Sequence, residues 1–240
     1  MLTSLSMRVA TWNLERKKPT SLRGAEAIEH LRSLNAELVV VTEGRTSFTL
    51  PRTSSLWSGR PRGQRYAEDE RKVILCSTAE MERIEFDSAI DPSRFVAARV
   101  DSSIGPIVVL AVCITWHMAE VVHHTGPKKK PWEEHLEYLA CLRPIVRSLD
   151  EPFVVAGDFN QRYPRVKGGN RRAADELEAT FNGIDIVTGG VLPGCNRPGI
   201  DHVGISSHLR ATHVAGWPHD VNGNRLSDHD GALADVVLAN

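Results

Sequence analysis

Short apolar runs rich in β-branched residues alternate along the chain with a few stretches whose apolar residues recur about once per helical turn. Arg8–Trp12 and Glu37–Thr42 read as strands, rich in Val and Thr. Between them, Leu22, Ala25, Ile28, Leu31 and Leu34 predict an amphipathic helix over Ser21–Leu34. Arg71–Ser77, Arg94–Val100 and Ile107–Trp116 are further strands, and the Asp101–Gly105 turn predicts a hairpin between the last two. A second helix is expected over Trp132–Leu149, with Leu136, Leu139, Leu142, Val146 and Leu149 facing inward and Pro144 kinking or shortening it. Phe153–Gly157 is apolar throughout, as in a strand covered on both faces. A third helix over Ala173–Phe181 precedes strands at Gly183–Val187, Ile200–Ile205, Ala211–Gly216 and Ala232–Leu238. No repeat or linker interrupts this order. It predicts one α/β domain over residues 1–240, with two packed sheets and helices outside them.

Composition narrows the picture without naming a function. A chain of 240 residues fits one large domain or two small ones at roughly 150 residues each. The balance of 29 Lys and Arg against 30 Asp and Glu excludes a globally basic binder, so any polyanion must be met by a local patch. The longest aliphatic run, Ile107 to Ile114, falls well short of the roughly 18 residues that span a membrane. Cys76, Cys113, Cys141 and Cys195 form no CxxC pair, which argues against a zinc ribbon or disulfide scaffold and for reduced, buried thiols. The N-terminal stretch has no basic segment followed by a long apolar core, so a cytoplasmic location is expected.

Candidate chemistry falls at strand ends. The first strand runs into Asn13 and Glu15, the second ends at Glu43, Ile107–Trp116 ends at His117, and Phe153–Gly157 runs into Asp158 and Asn160. The last strand is preceded by Ser227-Asp228-His229. In layered α/β folds such ends converge on one rim. Residues two apart on a strand point the same way, so Asp158 and Asn160 can face one point, as can Asn13 and Glu15. Asp201 sits inside an apolar strand, where a carboxylate needs a partner. His202 points to the opposite face, which leaves His229 as the partner.

The order T-W-N-L-E (11–15), Glu43, T-W-H (115–117), G-D-F-N (157–160), I-D-H-V (200–203) and S-D-H (227–229) resembles the endonuclease/exonuclease/phosphatase superfamily over nearly the whole chain. The resemblance implies a four-layer α/β sandwich, two packed mixed β-sheets flanked by helices, with one metal-dependent site at the rim. It implies Mg²⁺, with Mn²⁺ as a substitute, held by Glu43 with Asn13 beside it, Asp228 as a further metal-site acid and Glu15 at a position that is often Asp. Asp158 would position the attacking water or handle the leaving oxygen. Asn160 and His117 would donate to the scissile phosphate, and His229 paired with Asp201 would be the base or a charge-stabilising imidazolium. Which of Asp158 and His229 takes the proton from water stays open. One departure is the strand R-K-V-I-L-C-S at 71–77, where many relatives carry a Gly before the apolar run, while Arg94 resembles an Arg that often precedes the central strand.

Two loops bear on the substrate. Gln161–Arg172 contains Arg162, Tyr163, Arg165, Lys167, Arg171 and Arg172 and no acid, and the loop after His117 contains His123, His124, Lys128, Lys129, Lys130 and Trp132. Basic residues with aromatics beside a hydrolytic site suit a phosphate backbone with a stacked base. They suit DNA, RNA or another polyphosphate equally. The reading is therefore a phosphodiester hydrolase, first of all a nuclease, acting as a monomer away from membranes. The alternatives are a phosphomonoesterase or small-molecule phosphodiesterase on the same site, and a silent binding module, whose mark would be a lost site residue. Two decoys drop out. Asp220–Asn224 begins like a calcium loop, but Arg225 and Gly231 replace its essential Gly and Glu. The ten histidines include no helical metal-spaced pair.

Overall fold

The computed structural model describes residues 5–63, 66–122, 126–221 and 223–239. His123, His124 and Asn222 lie outside the described residues. One six-stranded sheet contains β1 (Met7–Asn13), β2 (Leu38–Arg45), β3 (Ser54–Trp57), β4 (Glu70–Ser77), β11 (Leu209–Trp217) and β14 (Gly231–Leu238), in the order β11-β14-β1-β2-β4-β3. The other contains β5 (Met81–Ile84), β6 (Phe95–Ser102), β7 (Gly105–Cys113), β8 (Phe153–Asp158), β9 (Asp185–Ile186) and β10 (Asp201–Ile205), in the order β5-β6-β7-β8-β10-β9. A two-stranded ribbon of β12 (Asp220–Val221) and β13 (Asn224–Arg225) stands apart.

Each large sheet has one parallel pair, β1 with β2 and β7 with β8. A parallel pair needs a long crossover. Helix α1 (Leu22–Ser33) supplies it in the first sheet and α2 (Glu133–Arg147) in the second. The sheets bury Val9, Val40, Leu75, Val109, Val154 and Val203 between them. Helix α1 covers the outer face of the first sheet through Ala27 and Leu31. Helices α2 and α3 (Arg171–Thr180) cover the second through Leu139, Leu142 and Leu177. The result is the expected four-layer α/β sandwich. Among the described residues no helix is long and apolar enough to cross a membrane.

Most of each expected helix face packs on the core (Ile28, Leu31 and Leu34 for the first helix; Leu139, Leu142, Val146 and Leu149 for the second), with differences at a few positions. In α1 the buried residues are Gly24, Ala27 and Leu31, while Leu22 is exposed. A side chain on Gly24 would meet the Lys18 carbonyl at 2.0 Å, so close backbone contact fixes the helix rotation there. In α2, His135 and Tyr138 turn inward and Leu136 is half-buried. These polar groups are tolerated because His135 bonds the Thr115 carbonyl (2.6 Å) and Tyr138 Oη donates to the Arg94 carbonyl (2.9 Å). The strand expected to reach Trp116 ends at Cys113, and the one expected over Gly183–Val187 keeps only two residues. All four cysteines are free, Cys76 and Cys113 buried, Cys141 and Cys195 half-buried.

Candidate active site

The parallel pairs send β1, β2, β7 and β8 to one rim, and the two sheets touch there. Asn13, at the end of β1, links them: its Nδ2 donates to Asp158 Oδ2 (3.1 Å) and its backbone N–H to Asp201 Oδ2 (2.7 Å). Asp201 lies opposite Asp158 in the β10–β8 ladder. The chain can reach Asp158 only through Gly157, whose φ is +141° and where a Cβ would lie 1.9 Å from the Val112 carbonyl oxygen. Two residues on, Asn160 turns back in a left-handed conformation (φ 52°). Its backbone N–H donates to Asp158 Oδ1 (2.7 Å) and its Nδ2 to Asp158 Oδ2 (2.9 Å). Three donors therefore fix the Asp158 carboxylate.

Asp201 finds the predicted partner, with His229 Nδ1 2.8 Å from Oδ1. The Ser227 hydroxyl ties this segment to the β1 end, donating to the Asn13 carbonyl (2.5 Å) and accepting from the His229 N–H (3.1 Å). His202 points to the other side of β10, where its ring contacts the Gln161 and Thr188 carbonyls. Burial opposes charge on His229, but Asp201 and Asp158 outweigh it and raise its pKa to about 10. Burial, with Asp201 adding to it, pushes Asp158 up to about 7 against the pull of His229. Asp158, Asp201 and His229 bring ligand atoms within 4.8 Å of one another, a group that could hold a metal ion.

These residues open on a cavity of about 270 Å³ lined by Asn13, Glu43, Asp158, Asn160, Asp228 and His229, together with Arg16, Tyr66, Lys72, Arg94 and Trp116. Glu43 stands in β2 with φ 50°. Lys72 Nζ is 2.5 Å from its Oε1 and Arg16 Nε 3.6 Å from its Oε2. Burial works against the Glu43 charge, yet Lys72, then Arg16 and Arg94, hold its pKa below the ordinary carboxylate value.

Of the residues expected from the sequence, Asn13, Glu43, Asp158, Asn160, Asp228 and His229 line this cavity, and Asp201 stands directly behind it. Glu15 does not line it and pairs with Lys17 (2.6 Å) and Arg225 (3.5 Å). Nor does His117, which is exposed with its ring between those of Trp116 and Trp132. Arg162, Arg165, Lys167, Arg171 and Lys128 are exposed outside the cavity, and Tyr163 is half-buried. Lys129 lines an adjoining cavity of about 260 Å³ and is bonded to Glu134 and Glu137. The two cavities share Tyr66, Lys72 and Arg94.

Lys72, Arg16, Tyr66 and Trp116 were not among the expected site residues. The signal for Lys72 was its place as the departure from the usual Gly. Trp116 lies within the T-W-H motif and Arg16 directly after T-W-N-L-E, so both were in reach of the motifs, whereas Tyr66 needed the strand order, which no local pattern supplies.

The sequence matches no protein-family model and no curated protein. Solved structures match it in fold. The endonuclease domain of TRAS1, a telomere-specific non-LTR retrotransposon, is 16% identical over 98% of this chain and 100% of that one, with a TM-score of 0.63. The 3'-5' exonuclease NExo from Neisseria meningitidis is 18% identical over 95% and 98%, with a TM-score of 0.66. An endonuclease/exonuclease/phosphatase from Beutenbergia cavernae is 16% identical over 98% and 72%, with a TM-score of 0.63. The chain has the endonuclease/exonuclease/phosphatase fold.

Proposed function

We propose that the chain is a phosphodiester hydrolase assisted by a divalent ion, Mg²⁺ or in its place Mn²⁺, and that its substrate is a nucleic acid. The observation that carries this reading is one cavity holding both an oriented, proton-accepting carboxylate and several cations. Asp158 is fixed by three donors and is raised toward neutral pH, which suits a group that takes a proton from water. His229 keeps its proton, so it acts as an imidazolium that bonds a phosphate oxygen through Nε2, with Asp201 holding the ring. Arg16, Lys72 and Arg94 face the nonbridging oxygens.

The donor chemistry of the cavity fits a divalent ion, because Glu43 and Asp228 present the carboxylate oxygens that Mg²⁺ takes. Glu43 would hold it with Asn13, although Asn13 Oδ1 already accepts from the Glu15 N–H (2.8 Å). When bound, the ion would polarise the phosphoryl group and offset charge on the leaving oxygen. The fold supports the reading, since proteins sharing it include nucleases and a 3' phosphatase bound to a product DNA hairpin. The basic segment 162–172 directly after Asn160 supports nucleic acid. The adjoining cavity, continuous through Tyr66, Lys72 and Arg94, favours a second reading: a small phosphoester whose remainder lies there.

The test is to offer plasmid, abasic duplex, single-stranded DNA, RNA and chromogenic phosphomono- and diesters with Mg²⁺ or Mn²⁺. Metal-dependent cleavage of a polynucleotide is expected, with Asp158→Asn slowing it about 10²–10⁴-fold. Cleavage of small esters alone would replace the nuclease reading with the second one. No cleavage of any substrate would defeat both.

A further inference from the structure

Glu43 and Lys72 hold a contact that simple hydrolysis does not require. The ladder pairs Thr42 with Val73 and Gly44 with Arg71, which places Glu43 and Lys72 between the same two rungs. Their meeting therefore follows from backbone register and not from the chance reach of a long side chain. The Lys72 side chain is 8% exposed, with Nζ 2.5 Å from Glu43 Oε1 and 5.0 Å from the centre of the Tyr66 ring. A buried ammonium needs a paired anion, and here that anion is Glu43. Lys72 also stands just before the apolar run Val73–Cys76, where the resemblance leads one to expect a Gly in many relatives.

The carboxylate that would hold the divalent ion thus already carries its countercharge. A second cation on Glu43 would lie against the ammonium and be repelled by it. A phosphate in the cavity changes that balance. It meets Arg16, Arg94 and Lys72 together, and the flexible four-carbon stem of Lys72 lets the ammonium turn from the carboxylate to a phosphate oxygen.

We propose that Lys72 couples the two ligands of this cavity: it guards Glu43 against divalent metal until a phosphate draws the ammonium away, so metal and phosphate bind cooperatively. The inference rests on the phosphoester reading and adds the residue that sets how metal and substrate enter. Linkage makes the effect reciprocal, so metal tightens phosphate by the same factor that phosphate tightens metal.

Binding of Mn²⁺ to the purified full chain, followed by the electron paramagnetic resonance of free Mn²⁺, tests this without turnover. Sulfate serves as the probe for the tetrahedral dianion, at constant ionic strength. Saturating sulfate is expected to tighten wild-type Mn²⁺ binding by at least about tenfold. Lys72→Met should bind Mn²⁺ about tenfold tighter than wild type without sulfate and respond to sulfate less than about threefold. Lys72→Arg, which keeps a cation, should retain the sulfate response. Thermal melting reports whether the variants fold, and if they do not, the two wild-type titrations decide alone. Equal wild-type affinity with and without sulfate overturns the proposal, as does Lys72→Met binding Mn²⁺ no tighter than wild type. Absence of Mn²⁺ binding in every state overturns it as well. Hydrolysis in excess chelator separates that result from failure of the function itself: turnover that persists keeps the hydrolase and removes only the metal.

Discussion

His229 answers to acids on two sides, with its Nδ1 on Asp201 and the charge of Asp158 across the cavity. Its folded pKa, about 10, lies above the ordinary histidine value. The bound proton therefore stabilises the folded chain fully below about pH 6.5, and that contribution is lost as pH rises through 10. His229→Gln should then lower stability by about 2–4 kcal/mol at pH 6 and by progressively less toward pH 10, measured by denaturant unfolding at each pH. The same residues offer a test of the choice of base that the motif left open. With Asp158 at about 7, kcat/KM should rise with pH through neutrality. A rise centred near 10 would make His229 the base instead. The Asp201–His229 pair was legible in the sequence, because an acid in an apolar strand demands a partner and alternation disqualifies His202. His117 shows the limit of that logic. The strand expected to carry it stops at Cys113, so strand parity no longer dictates which of the exposed Trp116 and His117 faces the cavity, and Trp116 lines it.

Elements were readable where a buried face spans many residues and obscure where pairing alone defines them. The long interior strands stood out because both faces are apolar. The four-residue strands β3 and β5 sit at sheet edges with mostly half-exposed or exposed residues, so nothing in their composition marks them before β4 and β6 are in place. Of the face expected for helix α1, Ile28, Leu31 and Leu34 pack on the core while Leu22 and Ala25 stay exposed, since an apolar stripe cannot reveal that Gly24 packs against the Lys18 carbonyl in the first turn. The element that matters most to the site is the end of β8. Gly157→Ala would force a side chain onto the Val112 carbonyl at a φ of +141°. It should cost about 3 kcal/mol or more in denaturant unfolding and displace Asp158 even if the chain folds. A simple cap gives the contrast: the Ser21 hydroxyl accepts from the Gly24 N–H (3.1 Å), and Ser21→Ala should cost about 1 kcal/mol without touching activity.

At the scale of the whole molecule, a net charge of -1 conceals two differently arranged basic segments. In the segment after Asn160, among the described residues, Arg162 and Arg165 bond only backbone carbonyls and Arg171 makes a loose contact with Asp175 (3.7 Å). These charges are open to a phosphate backbone. In the segment before α2, Lys129 is already matched by Glu134 and Glu137, and Trp132 packs its ring against His117 and His135. Lys129 thus carries less free charge than its place in a basic run suggests, and only folding shows it, while Lys128 and Lys130 stay exposed. Each open charge that meets a phosphate releases about one counterion and steepens the dependence of log affinity on log salt by about 0.9 for duplex DNA. Neutralising Arg162, Arg165 and Lys167 together should therefore flatten that slope by about 2 to 3, while turnover of a small chromogenic diester stays intact. Lys129→Ala should leave the slope nearly unchanged, because its charge is spent within the protein. Equal loss of DNA binding and small-ester turnover in the triple variant would instead make the segment 162–172 a structural support for Asn160 and Asp158.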